Sequence, residues 1–241
     1  MKILVIGATG RVGQALCEQL IGRGDDVVAA ARHPERLAVG GASAGAGAAS
    51  SPAQAAPAEG LAAAEGSAAA DRGTLTPLAL DLHAPVATLA QAMAGVDAVI
   101  FTAGSRGADL IGTDLDGAIQ TMQAAERAGV ARYVMLSTIF SLDRTRWAAP
   151  GIQSLRDYYI AKHYADLFLT RSGLAYTILQ AGGLTDGAAT GRVAFADEAG
   201  VNAVADVAAV LAALVHANIA SGRVIPMHAG TTPIAAAIAN L

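Results

Sequence analysis

The stretch KILVIGATGRVGQALCEQLIGRG, residues 2–24, decides how the rest of the chain is read. Its opening run KILVI is almost wholly apolar and predicts a strand over residues 2–6. VGQALCEQLIGRG carries apolar residues at helical spacing and closes on glycine, which predicts a helix. Between them lies GATGRVG, with glycines at 7, 10 and 13. Such glycines permit a tight turn and let backbone N–H groups approach a phosphate, while the helix N-terminus adds its dipole. Spaced glycines alone carry little weight; a strand before them and a helix after them give the string its meaning. The candidate cofactor-binding residues here are Gly7, Ala8, Thr9, Gly10, Arg11, Val12 and Gly13. The spacing is GxxGxxG rather than GxGxxG.

Working outward, the same alternation repeats. DVVAAA (26–31), LTPLALD (75–81), DAVIFTAG (97–104), RYVMLS (132–137) and AYTILQ (175–180) read as strands, and RVIPM (223–227) as a late edge strand. VATLAQAM, DLIGTDLDGAIQTMQAAERAG and RDYYIAKHYAD lie on helices between them. Strands separated by helices predict an α/β fold: a Rossmann-like, doubly wound parallel sheet with helices on both faces, in a single domain.

Composition narrows the classes. The chain has 241 residues, a net charge of −4 and 54% apolar residues, enough for one α/β domain with a sizeable core. Mild acidity argues against nucleic acid as a partner. The one cysteine, Cys17, cannot form an internal disulfide and reads as a core thiol, so a reducing, cytoplasmic setting is expected. No leader is visible, and VAAVLAALVHANIA from Val207 falls short of the roughly 20 apolar residues of a membrane span. It reads as a buried helix. No metal site is read from the sequence.

Residues 39–73 break the pattern. They are almost entirely Ala, Gly, Ser and Pro, with no aromatic or β-branched residue after Val39. Such a segment buries too little to offset its ordering entropy and reads as a flexible insertion within the domain. A partly helical, alanine-rich arm around 61–72 is the alternative. Deleting residues 41–70 is expected to leave cofactor binding intact; loss of binding by a folded deletion variant would refute the insertion reading.

The strand ends supply the remaining cofactor contacts. An NAD site usually places Asp or Glu after strand two, about 20 residues past the glycines, to hold the ribose 2′-hydroxyl. Here the strand runs into ARHPER, with Arg32 and His33 in that place, while Asp25 and Asp26 precede the strand. A guanidinium binds a 2′-phosphate with two parallel hydrogen bonds, and Arg11 adds charge, so NADP(H) is expected over NAD(H). Asp81 and Leu82 follow strand three, where Asp81 either accepts from the adenine amino group or caps the next helix. Ala103 and Gly104 follow strand four and are small enough to let a cofactor lie flat.

In RDYYIAKHYAD, Tyr158 and Lys162 stand at i and i+4 on one helix face, one loop after Ser137. A neighbouring ammonium lowers a phenol pKa from its usual value of about 10, and a serine hydroxyl polarises a carbonyl. Ser137, Tyr158 and Lys162 therefore suit proton transfer to an alkoxide formed by hydride addition. Lys162 is one of only two lysines among sixteen basic residues, which suggests that an ammonium is specifically required. Leu155, Tyr158, Lys162, Ala165 and Leu169 form an inward stripe. Ile152, Arg156, Tyr159, His163 and Asp166 form a polar, outward one, with His163 solvated. Ile160, Tyr164, Leu167 and Phe168 form an apolar stripe for core packing or a homodimer contact. Trp147 and Phe140 either line a pocket or pack under their loop.

The chain resembles the short-chain dehydrogenase/reductase superfamily in its atypical, NmrA-like branch of NAD(P)H-binding proteins. The resemblance lies in GATGRVG (7–13), ARHPERL (31–37), DLDGAIQTMQAAERAGVARYVMLST (114–138), YYIAKHYADLFLTRSGLAYTIL (158–179) and GGLTD (182–186), and spans nearly everything except 39–73. It implies a Rossmann-like domain with NADP(H) in the crevice and Ser137, Tyr158 and Lys162 as the candidate catalytic set. It departs where the family commonly reads Arg-Pro-Gly after strand six: Gln180 and Ala181 stand here, without the charge or the fixed φ. The resemblance implies an oxidoreductase acting on a small carbonyl, quinone-like or flavin-like substrate. A dinucleotide-binding sensor with little turnover is the alternative, and a sugar-nucleotide epimerase or dehydratase the weaker one, because little chain follows Gly183 to build a sugar-nucleotide domain.

Overall fold

The computed structural model describes residues 1–38, 72–217 and 221–241. The predicted insertion and its alanine-rich alternative lie outside the described residues, apart from Arg72 and Gly73. The Gly73 N–H donates to the Ile21 carbonyl at 3.0 Å, returning the chain to the sheet.

The opening stretch forms β1 (Lys2–Ile6), the glycine turn and α1 (Arg11–Gly22). There follow β2 (Asp26–Ala31), a 3-10 turn at Pro34–Arg36, β3 (Leu75–Ala79), α2 (Val86–Ala92) and β4 (Ala98–Phe101). The expected long helix begins as a π-helical segment, Leu110–Gly117, and continues as α3 (Ala118–Ala128). Then come β5 (Arg132–Thr138), a single turn α4 (Pro150–Gln153), α5 (Arg156–Thr170) and β6 (Tyr176–Ala181). The C-terminal part holds β7 (Gly183–Thr185), β8 (Arg192–Ala194), β9 (Val201–Ala203), α6 (Val204–Leu214), β10 (Arg223–Ala229), β11 (Thr232–Pro233) and α7 (Ile234–Ala239).

The sheet runs β11-β8-β10-β6-β5-β4-β1-β2-β3. Its strands from β10 to β3 are parallel. β10 is therefore not the edge the sequence suggested: β8 pairs with it antiparallel, and β11 with β8. Strand order reverses at β1, which lies between β2 and β4, so the crevice opens where the glycine turn meets the end of β4.

Continuous apolar strands are what a sheet covered on both faces demands. Along β1, Ile3 and Val5 face α1 and α6, while Leu4 and Ile6 face α2, α3 and α5. Leu16, Cys17 and Leu20 anchor α1 with no exposed surface, each leucine worth about 1.5–3 kcal/mol by burial. Burial also pushes the Cys17 thiol up to about 12, in keeping with a core role. A smaller cluster of Ile139, Phe140, Trp147 and Tyr159 sits under the loop after β5. Among the described residues no helix is long and apolar enough to cross a membrane.

Candidate functional site

A cleft of about 690 Å³ runs along the C-terminal ends of the parallel strands. Its floor begins at the glycine turn. Gly7 is left-handed (φ +86°), and a Cβ there would stand 2.6 Å from the Ala103 nitrogen. A Cβ on Gly13 would stand 2.2 Å from the Gly7 carbonyl oxygen. Backbone thus packs on backbone at two levels, and only glycine allows it. No side chain caps the first turn of α1, and no acidic residue lies in it, so its free N–H groups suit an anion. Thr9, Gly10, Arg11 and Val12 line the cleft beside Gly7. Ala8 and Gly13 do not: Ala8 is fully buried, and Gly13 shapes the turn from behind.

Beyond β2, Arg32 and His33 line the cleft as expected, joined by Arg36, which the 3-10 turn swings back. Neither arginine is held by a carboxylate among the described residues, whereas His33 meets Glu35 at 3.2 Å. Asp25 and Asp26 are engaged at the other end of the sheet, by the N-terminal amine (3.0 Å) and by Thr74 (2.6 Å). Arg11 lines the cleft as expected and also bridges to Asp186 at 2.8 Å, tying the glycine turn to the segment after β7. That partner lies 175 residues away, beyond the reach of local pattern.

Leu82 lines the cleft next to Asp81. Asp81 does not cap α2, whose start has no side-chain cap. Its carboxylate accepts from the His83 N–H at 3.1 Å and meets the ring at 3.0 Å, while the other ring nitrogen meets Asp109 at 3.0 Å. Hydrogen bonds from the His83 backbone and ring hold Asp81 below the usual carboxylate range, and the two carboxylates raise His83. Ala103 and Gly104 border the opposite wall, where a Cβ on Gly104 would come 3.3 Å from Asp114.

The far end holds the candidate catalytic residues. Tyr158 and Lys162 both line the cleft from α5, and Ser137 does so from β5. Lys162 is only 2% exposed, and its ammonium donates to the Leu136 carbonyl at 3.1 Å. The Ser137 hydroxyl donates at 2.7 Å to Asp166, which is fully buried. Ser141 also donates to Asp166, and the Gln180 amide donates to Ser141 at 2.6 Å. Thr138, the next residue, also lines the cleft, and its hydroxyl opposes the rise of the Tyr158 pKa.

The expected depression of the Tyr158 pKa is reversed. Burial raises the phenol well above its usual range, and the charge of Asp114 adds to the effect. Burial likewise raises Asp166, with Lys162 as the charge that opposes it. An arginine at position 180 would bring a second counter-charge; Gln180 brings only an amide.

The helix stripes also need correcting. Tyr159, His163 and Asp166 are buried, because the loop after β5 folds over that face. Tyr159 meets Trp147 edge-on at 5.8 Å, and the His163 ring bonds the Ser141 carbonyl at 2.8 Å. Trp147 donates to the Phe140 carbonyl at 2.9 Å, and both pack under the loop rather than line the cleft. Leu155 is 50% exposed at the cleft mouth, and Tyr164 is 46% exposed on the outer face.

A glycine cradle, an uncapped helix start and a reversal of strand order define a dinucleotide-binding domain. A family model described as NAD(P)H-binding matches residues 62–218. The chain belongs to this NAD(P)H-binding family, in the atypical short-chain dehydrogenase/reductase group, and binding of NAD(P)H follows. A Bacillus subtilis protein named "uncharacterized sugar epimerase YhfK" is 33% identical over the full length of both chains. The crystal structure of the oxidoreductase ylbE from Lactococcus lactis is 36% identical, with a TM-score of 0.84, covering 100% of this chain and 96% of that one. A putative NAD-dependent epimerase/dehydratase from Bacillus halodurans is 30% identical with a TM-score of 0.78, both chains being fully covered.

Proposed function

We propose that the protein is an NADPH-dependent oxidoreductase that transfers a hydride to a small carbonyl, quinone-like or flavin-like substrate. The observation that carries this reading is the continuity of the cleft, whose lining runs from Arg32 and Arg36, past the glycine cradle, to Tyr158. The name of the Lactococcus lactis relative supports it. The residues present fit a dinucleotide: the backbone of Gly7 to Val12 for the pyrophosphate, Arg32 and Arg36 for a 2′-phosphate, Asp81 and Leu82 near adenine, and Lys162 for ribose hydroxyls. When bound, the nicotinamide supplies the hydride. Tyr158 holds a proton at its hydroxyl, where an alkoxide oxygen forming on the substrate would take it. Thr138 orients that hydroxyl. Ser137 borders the cleft and spends its hydroxyl proton on Asp166, so it acts by fixing that buried carboxyl.

NADPH oxidation against a panel of carbonyls, quinones and flavins tests the activity. Absence of turnover with every class, alongside tight NADPH binding, would favour the sensor reading, which the tie between Lys162 and the Leu136 carbonyl also favours. An epimerase reading draws on the names of the two Bacillus relatives. Against it, the described residues after Gly183 extend the sheet edge and pack as α6 and α7 on its face.

Cofactor preference has its own test. Replacing Arg32 or Arg36 by Ala is expected to weaken NADPH binding about tenfold each and leave NADH binding unchanged. Equal NADPH affinity of wild type and Arg32→Ala would remove the assignment.

A further inference from the structure

The loop after β4 carries a feature that cofactor binding does not use. Ser105 to Ala108 form a tight turn, with the Ala108 N–H donating to the Ser105 carbonyl at 3.2 Å. Both central residues are left-handed, Arg106 at φ +54° and Gly107 at +88°. Turns of this type take Gly, Asn or Asp at the first central position, because a Cβ there is strained. Arginine at that place costs conformational energy that nothing in the turn returns. Its guanidinium makes no ion pair or hydrogen bond among the described residues, is exposed, and lines the cleft.

The turn is held at the Tyr158 end. The Ser105 N–H donates at 2.9 Å to Asp114, a buried residue on the π-helical segment that packs along α5. Asp114 is thus shared by the turn and the surroundings of the Tyr158 phenol. The other cations of the cleft are placed elsewhere: Arg32 and Arg36 at the β2 end, Arg11 on Asp186, and Lys162 on the Leu136 carbonyl. Leu155, one turn before Tyr158, and Leu184 supply apolar surface to the cleft.

We infer that Arg106 is the substrate anchor: it holds a carboxylate, or a similar acidic group, on a substrate whose apolar body lies against Leu155 and Leu184. Strained backbone persists where surroundings fix it, and it concentrates at ligand clamps. A planar fork matches a carboxylate with two parallel bonds. The inference rests on the reading of the Tyr158 end as the substrate end, and it narrows the substrate to acidic carbonyl or quinone compounds.

The test is binding to NADP⁺-loaded protein, in which no probe can be reduced, measured by calorimetry with two matched probe pairs: 4-carboxybenzaldehyde and anthraquinone-2-carboxylate, each against its methyl ester. Wild type is expected to bind each acid about tenfold tighter than its ester. Arg106→Gln should erase that preference, Arg106→Lys should keep part of it, and the remote Arg127→Gln should keep all of it. Arg106→Gly relieves the turn, so it should melt no lower than wild type while still losing the preference. Equal or undetectable binding of acid and ester in wild type would overturn the inference. So would a preference that survives Arg106→Gln and Arg106→Gly, or a comparable loss of NADPH affinity in those variants. Arg106-dependent binding of the acids without any NADPH oxidation would uphold the anchor and count against the oxidoreductase.

Discussion

Tyr158→Phe is expected to lower kcat for NADPH-dependent reduction by about 10²–10⁴-fold, the range for a lost general acid. NADPH affinity should hold within about threefold, since the phosphate and ribose contacts proposed above do not use the removed oxygen. Tyr159→Phe should leave kcat near wild type, because that ring packs on Trp147 away from the cleft. The pH profile carries the sharper content. With its pKa raised by burial and by Asp114, Tyr158 keeps its proton through the neutral and moderately alkaline range. The reduction rate should therefore not fall until pH exceeds about 10, the ordinary phenol value. Oxidation of an alcohol, which needs the phenolate, should be slow at neutral pH and rise with alkalinity. Asp114→Asn removes the nearby negative charge and should bring the alkaline limb of reduction to lower pH. Steady-state rates of all three variants across pH 6–11 decide the matter (a span set by the usual phenol value, about 10). Full activity of Tyr158→Phe would take Tyr158 out of the chemistry and leave direct hydride transfer.

The fold was legible because its strands advertise themselves. KILVI and DVVAAA are bounded by charge or glycine and buried on both faces, so β1 and β2 begin and end where the apolar runs do. β7, β8 and β9 have three residues each, too few to display a period, and their pairing depends on partners far along the chain. The cleft was legible at the strand ends, since topology alone sends Gly7, Arg32, Asp81, Ala103 and Tyr158 to one edge. What pattern missed were contacts set by tertiary packing. Arg36 was within the same ARHPER cluster of charge, and the three-residue 3-10 turn was the missing step. Asp166 was placed on a polar, solvated stripe. The loop bearing Ser141 and Trp147 covers that stripe, and helical spacing cannot announce a covering loop. Thr138 and Asp114 alter the reading of Tyr158 for the same reason: each acts across elements.

The second large effect belongs to the glycine turn. Gly13→Ala is expected to abolish measurable NADPH binding while the far-UV spectrum stays helical. A Cβ at position 13 would meet the Gly7 oxygen at 2.2 Å and the Ala8 Cα at 2.8 Å. Both are backbone atoms of the cradle, so no rotamer change relieves the clash. Either the start of α1 lifts off the turn or the turn opens, and each displaces the N–H groups that face the phosphates. Overpacking of this kind costs about 1–3 kcal/mol of stability, because Leu16, Cys17 and Leu20 hold the rest of the helix in place. Gly7→Ala should act similarly, through the Ala103 nitrogen at 2.6 Å and a left-handed φ. Gly10→Ala should be milder, since its nearest neighbour would be 3.2 Å away. Gly22→Ala is the internal control: nothing lies within 4 Å, so the change should be neutral or stabilise α1 by about 0.5–1 kcal/mol. Thermal melts and NADPH titrations of the four variants should therefore rank Gly13 and Gly7 far below Gly10, and Gly10 below Gly22. NADPH affinity of Gly13→Ala within threefold of wild type would mean that the phosphates do not lie on this turn.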